Sequence, residues 1–254
     1  LVNIRVGKHS IDNIELMIFD KDGTIIELYH YWSKMVYYRA QFICERLGIE
    51  ESHVKGLGYA MGVDWDNQRL RPEGPVGLKR REIVMKEAVS YLEKIGYKNM
   101  EELCFNIFQE VDEFSLSRLH DFIRPINGST ELIRQLHAGG CKIAIATTDL
   151  TERASLAMRH LGLEEYIDLI VGTEMVKRPK PDPDQIELVL EVLKCKRECT
   201  VMVGDAATDV EMGINAHVRA AVGLLTGFGT AEEFSKITPY VVPDISGIKV
   251  VEKL

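Results

Sequence analysis

The sequence predicts an α/β protein, a doubly wound parallel sheet interrupted early by an inserted all-helical domain. Three observations carry this reading. Short, almost continuously apolar runs recur, several stopping at polar or acidic residues, as strands buried on both faces of a parallel sheet do. Helical patterns lie between them, and this alternation of strand and helix marks the class. Over residues 28–124 the alternation stops and only helical periodicity remains.

The first apolar run is Glu15-Leu-Met-Ile-Phe19, which stops at Asp20. Helical stripes follow: Trp32, Met35, Val36, Ala40 and Ile43 closed by Gly48, then Val84, Ala88, Tyr91, Leu92 and Ile95 closed by Gly96, then Leu103, Ile107, Val111 and Phe114. Apolar residues at this spacing are core faces of packed helices. The expected domains are therefore 1–27 with 125–254, and the helical insertion 28–124. Gly56-Leu-Gly-Tyr-Ala-Met-Gly62 departs from dinucleotide-fingerprint spacing and follows no strand, so it reads as a loop between helices of the insertion. Strands resume at Lys142–Ala146, Leu169–Val171, Val201–Val203, Arg219–Val222 and Tyr240–Val242. Between them come helices over Ser129–His137, Thr151–Leu161, Pro183–Leu193 and Asp209–Ala216, and Thr230-Ala-Glu-Glu233 is a capping box opening another.

A chain of 254 residues with 46% hydrophobic and 28% charged residues is a folded globular protein, not a disordered one. Its net charge is −8 and its longest basic run is Lys79-Arg80-Arg81, which excludes nucleic acid and anionic membrane as expected partners. The five cysteines form no CxxC pair and read as reduced, buried residues rather than a disulfide frame or zinc site. No apolar run approaches the roughly 18 residues of a membrane span, and Leu1–Ser10 lacks the apolar core of a signal peptide. The expected location is cytoplasmic. The chain starts at Leu1 and not Met, which points to residues preceding it.

Open parallel sheets bind ligands beyond the carboxyl ends of their strands, where strand order reverses. The residues delivered there are Asp20-Lys-Asp-Gly-Thr24, Thr147-Thr-Asp149 and Gly204-Asp205 with Asp209, while Lys180 precedes a helix in Lys180-Pro-Asp-Pro183. Each alone suits an ordinary turn or cap. The signatures GxxxxGK[ST], GxSxG and HExxH are absent.

Together and in this order, Phe19-Asp-Lys-Asp-Gly-Thr24, Thr147, Lys180 and Gly204-Asp-Ala-Ala-Thr-Asp209 resemble the four motifs of the haloacid dehalogenase-like hydrolase superfamily, over residues 15 to 243. The resemblance implies a Rossmann-like core and a phosphoryl transfer in which a carboxylate attacks phosphate once cations offset the repulsion. It assigns Asp20 as nucleophile, and Mg²⁺ to Asp20, Asp205 and the backbone carbonyl of Asp22. Lys180 becomes the second cation, with Thr147, Thr148 and backbone N–H groups after Asp20 holding the transferring oxygens. Asp209 orients Lys180 or metal-bound water instead of ligating. Two carboxylates spaced as Asp20 and Asp22 suit two roles, one ionised to attack and one protonated to serve the leaving alcohol, and Gly23 permits the turn between them. By the same resemblance, Asp22 favours phosphate over halide chemistry.

The insertion has the position of the mobile cap in phosphoglycolate phosphatases and β-phosphoglucomutase. The tail, Val222–Phe234 with Tyr240–Asp244, is most similar to the former branch, whereas Lys21 and Ile25-Ile-Glu27 depart from its usual residues. His30 and Trp32, beside the first linker, are the substrate-binding candidates; Arg69, Arg71, Arg80 and Arg81 read first as solvated residues. The expected function is Mg²⁺-dependent hydrolysis of a small phosphorylated metabolite, phosphoglycolate-like or a sugar phosphate, through an aspartyl-phosphate. Alternatives are a phosphomutase and a catalytically silent binding module. The module would have lost Asp20, Asp22 or Lys180, and all three are present.

Overall fold

The structure is a computed structural model that describes residues 1–251. The chain divides into two compact units, one formed by Leu1–Glu27 with the chain from Pro125 onward, the other by Leu28–Arg124.

The first unit opens with strands β1 (Val2–Val6), β2 (His9–Ile14) and β3 (Leu16–Phe19). All of β3 is buried, as its unbroken apolar sequence requires. After the second unit the chain continues through α6 (Ser129–Ala138), β6 (Lys142–Ala146), α7 (Thr151–His160), β7 (Leu169–Val171) and α8 (Asp184–Leu193). It then runs through β8 (Thr200–Gly204), α9 (Ala207–Asn215), β9 (Ala220–Leu224), α10 (Ala231–Ser235), β10 (Val241–Val242) and β11 (Ile248–Val251). Six strands form one sheet in the order β10-β9-β8-β3-β6-β7, all pairs parallel. Phe19 is in register with Ile145 of β6 and Val203 of β8, so three strands end at one level. From β3 the chain builds outward through β6 and β7, then returns to build through β8, β9 and β10. The order therefore reverses at β3, and Asp20 stands at the switch point. One face packs Leu16, Ile18, Ala144 and Met202 against Ile186 and Val189 of α8 and Val210 and Met212 of α9.

A second sheet, not foreseen, joins both ends of this unit in the order β11-β1-β2 with antiparallel pairing. Its alternation is amphipathic: Val2, Ile4 and Val6 are buried while Arg5 is exposed.

The second unit holds α1 (Leu28–Leu47), α2 (Ser52–Met61), a hairpin of β4 (Val63–Asp64) and β5 (Arg69–Leu70), then α3 (Arg81–Lys94), α4 (Glu101–Ser117) and α5 (Leu119–Phe122). Two expectations are corrected here. The insertion is not all helical, because β4 and β5 pair antiparallel. Gly56–Gly62 is not a loop: its first six residues lie within α2, which ends at Met61 and is capped by Gly62. The glycines serve packing, since a Cβ at Gly56 would overlap Tyr91 and one at Gly58 would overlap Trp65. Inside this unit Arg39 pairs with Asp112 at 3.1 Å and lies over the Phe108 ring at 4.3 Å from its centroid. Among the described residues no helix is long and apolar enough to cross a membrane, and the five cysteines form no disulfide.

Candidate active site

The first motif leaves β3 as a turn. The Asp20 N–H donates to the Val203 carbonyl at 2.9 Å, which ties it to β8. The chain then curls back, with Ile25 and Ile26 N–H groups donating to the Lys21 carbonyl at 2.9 and 3.1 Å. Gly23 makes the curl possible at φ +89°, a region that L side chains avoid, and a Cβ there would strike the Asp205 carboxylate. On the neighbouring strand Thr147 is fully buried, its N–H bonded to the Val171 carbonyl at 3.0 Å and its Oγ1 accepting from the Asp149 N–H at 3.1 Å. Thr148 beside it is exposed.

Lys180 enters from the loop before α8. Its ammonium donates to Asp20 Oδ1 at 2.6 Å and to Asp209 Oδ1 at 2.7 Å, with all three side chains under a tenth exposed. The other oxygen of Asp209 accepts the Ala206 N–H at 3.1 Å, so both of its oxygens are engaged. Asp205 follows β8, accepts from Thr24 Oγ1 at 3.4 Å, and takes the Gly229 N–H on its carbonyl at 2.8 Å. The loop after β9 closes over it: Thr226 Oγ1 donates to the Gly23 carbonyl, and a Cβ at Gly227 would overlap the Asp205 carboxylate.

Asp20, Asp205 and Asp209 each bring a carboxylate oxygen within 4.8 Å of the others. Burial pushes Asp20 up to about 7 against the pull of Lys180, and repulsion from Asp209 and Asp22 adds to it. Asp205 is held well above the usual carboxylate range by burial and then by Asp20 and Asp209. Burial alone would lower Lys180, but Asp20 and Asp209 outweigh it and hold the ammonium above its ordinary value. One ammonium thus faces three carboxylates, and the set lacks positive charge. All its donors are oxygen, with no His or Cys, so the set fits a hard divalent cation such as Mg²⁺.

Asp22, close enough for its charge to act on Asp20 and Asp205, has a different ammonium as partner. Its Oδ1 accepts from the Lys21 ammonium at 2.8 Å, and burial lifts it above the ordinary range against the pull of Lys21. Lys21 also reaches Asp149 Oδ2 at 3.2 Å, and Arg153 lies 3.4 Å from Asp149 Oδ1. The sequence places Asp149 in the segment after β6 and Thr226–Gly229 in the tail but gives neither a role, and it does not single out Arg153. The available signals were the ionic residue Lys21 in an apolar place and the i,i+4 spacing of Asp149 and Arg153.

Seven predicted site residues thus lie in one unit: Asp20, Asp22, Thr147, Thr148, Lys180, Asp205 and Asp209. His30 and Trp32 lie on α1 of the other. His30 Nε2 bonds the Asp121 carbonyl at 2.9 Å, and the Trp32 ring meets Tyr31 edge-on at 5.0 Å. Arg69 pairs with Asp64, Arg71 with Glu73, and Arg81 with Asp112, while Arg80 is exposed.

The chain resembles known proteins along most of its length. It is 39% identical to the pyrophosphatase PpaX of Halalkalibacterium halodurans over 104 residues, 41% of this chain and 48% of that protein. It is 27% identical over 208 residues, 82% of this chain and 80% of the other, to a protein of Caldanaerobacter subterraneus assigned as PpaX. The chain spans about half the length of the first of these curated relatives. Among solved structures, a Haemophilus somnus protein assigned as a phosphoglycolate phosphatase superposes with TM-score 0.68 at 15% identity, over 92% of this chain and 96% of that one. A Thermotoga maritima protein assigned as a β-phosphoglucomutase does so with TM-score 0.65 at 24% identity, over 90% and 94%. These likenesses establish the fold. The model of the haloacid dehalogenase-like hydrolases matches residues 14–217, a span that takes in all four motif segments, and the chain belongs to that family.

Proposed function

We propose that the chain is a Mg²⁺-dependent phosphatase that hydrolyses a small phosphorylated compound through a phosphoryl group carried on Asp20. The observation that carries the reading is the Lys180 ammonium held between Asp20 and Asp209 beside Asp205, at the switch point of the sheet. Asp20, Asp205 and the Asp22 carbonyl are the proposed holders of Mg²⁺, which supplies positive charge against the carboxylates and the phosphoryl oxygens.

Lys180 fixes the Asp20 carboxylate for attack and offsets charge developing on the transferring group. An Asp20 oxygen forms a bond to phosphorus as the bond to the leaving oxygen breaks, and Asp22 gives that oxygen a proton. Water then attacks phosphorus, Asp22 takes a proton from it, and the bond to Asp20 breaks to release phosphate. The raised affinity of buried Asp22 for its proton suits a group that starts protonated. Asp209, with both oxygens engaged, orients Lys180. Thr147 and Thr148, at the end of β6, are the proposed phosphate-binding hydroxyls.

Identity to PpaX proteins favours a second reading of the substrate, inorganic pyrophosphate, on the same chemistry. Phosphate release from a panel containing pyrophosphate, phosphoglycolate and sugar phosphates, with and without Mg²⁺, tests both readings. Metal-dependent release from one compound class supports the function. Release undiminished by excess chelator overturns the metal, and isomerised sugar phosphate without phosphate release makes the enzyme a mutase.

A further inference from the structure

Lys21 is a charge in the first motif that the proposed reaction does not use. Its side chain is 2% exposed, and its ammonium bridges Asp22 Oδ1 at 2.8 Å and Asp149 Oδ2 at 3.2 Å. Asp149 is itself anchored, accepting the Leu150 N–H on Oδ1 at 2.9 Å with Arg153 Nε at 3.4 Å from the same oxygen. Burial works against the Asp149 carboxylate, yet Lys21 and Arg153 hold it below its ordinary value, so it stays charged. Alternating charges therefore run from the first turn of α7 to Asp22. Buried ion pairs are weak as stabilisers, since apolar side chains of similar volume often serve as well, which directs attention to what this one positions.

We propose that Lys21 is a positioning residue that ties Oδ1 of Asp22 to the Asp149–Arg153 pair, so that Oδ2 alone exchanges the proton. The inference rests on the reading of Asp22 as the acid and base. An ammonium only donates, so the oxygen it holds cannot carry the proton toward it. The carboxyl then presents Oδ2 to the leaving oxygen while the Asp20–phosphorus bond forms and the bond to that oxygen breaks. The same Oδ2 takes the proton of the attacking water when the phosphoryl group leaves Asp20. Without the tie the carboxyl turns about its last side-chain bond, and a misplacement of about 1 Å in a reacting group costs roughly a hundredfold in rate.

The test uses the full chain with Mg²⁺ and two substrates, an aryl phosphate whose leaving group needs no proton and an alkyl phosphate whose leaving group does. Rates are measured for wild type, Lys21→Met, Asp22→Asn and the double variant. Lys21→Met is expected to slow first turnover on the alkyl ester at least about tenfold more than on the aryl ester, through kcat and not KM. In the Asp22→Asn background the same change should cost nothing further, since Lys21 acts through Asp22. Equal losses on both esters, or losses that multiply across the cycle, overturn the role of Lys21. Asp149→Asn keeps the Lys21–Asp22 bond but loosens its anchor, so it serves if Lys21→Met does not fold; a folded Asp149→Asn without the leaving-group signature also overturns the role. If Asp22→Asn itself leaves the alkyl-to-aryl ratio unchanged, the acid–base reading fails, and the inference with it.

Discussion

Lys180 holds two buried carboxylates at once, its ammonium lying under 3 Å from both Asp20 and Asp209. Lys180→Ala leaves buried carboxylates without their ammonium and removes a cation from the transferring phosphoryl group. The expected loss in kcat is about 10²- to 10³-fold, the cost of removing one well-placed stabilising group at a developing charge. Steady-state rates on the best substrate of the panel check it, and a loss below about tenfold would assign the cation to another residue. The two carboxylates of the turn separate by a different experiment. Asp20→Asn should never acquire a covalent phosphoryl group. Asp22→Asn should still be phosphorylated by aryl phosphates but lose the base for hydrolysis, so the phosphoenzyme accumulates and is visible by mass spectrometry after acid quench. A phosphoryl group on any residue other than Asp20 removes Asp20 as nucleophile.

At the scale of elements, the loop after β9 makes its own prediction. Thr226 bonds the Gly23 carbonyl and the Asp205 carboxylate fills the space a Cβ at Gly227 would need, so the loop packs against Asp205 with no room for a side chain. Gly227→Ala forces the loop or the carboxylate aside. Mg²⁺ should raise the melting temperature of the wild type, because a ligand bound only to the native state stabilises it by about 2.7 kcal/mol at a hundred times its dissociation constant. That shift should need at least about tenfold more Mg²⁺ in Gly227→Ala, by thermal melts over a metal titration. An unchanged titration would detach the loop from the metal. The sequence made the parallel sheet readable because each central strand is a compact apolar run, and it made the site readable because acidic and basic residues stand where those runs stop. What it hid has physical causes. Val2-Asn-Ile-Arg-Val6 alternates correctly for a half-buried strand, but its partner Ile248–Val251 lies at the opposite end of the chain, where no local pattern announces the pairing. Strands β4 and β5, two residues each, fall below any periodicity. Gly56 and Gly58 read as helix breakers at about 1 kcal/mol each, yet Tyr91 and Trp65 pack on the backbone they leave bare and override that propensity.

For the whole molecule, the chain leaves and re-enters the sheet unit at one place. Ile26 pairs antiparallel with Pro125, and the Ile126 N–H donates to the Ile25 carbonyl at 2.8 Å, so the two crossings are neighbours. All the groups proposed to perform phosphoryl transfer belong to the unit of Leu1–Glu27 and the chain from Pro125, while His30 and Trp32 belong to the insertion. Replacing residues 28–124 by a short Gly-Ser linker therefore closes a small gap, and loop-closure entropy changes by only about 0.6 kcal/mol per doubling of loop length. The shortened chain is expected to fold, to keep a Mg²⁺-dependent melting shift, and to hydrolyse a generic aryl phosphate. It should lose the preference for its natural substrate, since binding energy from the non-reacting part of a substrate is what distinguishes it from an aryl ester. In the intact chain, His30→Ala and Trp32→Ala should raise KM for the natural substrate while changing aryl phosphate turnover far less. Comparison of kcat/KM on the two substrates decides the matter. A shortened chain that keeps the full preference would place substrate selection in the sheet unit, where the residues to examine next are those of the Asp149–Arg153 turn.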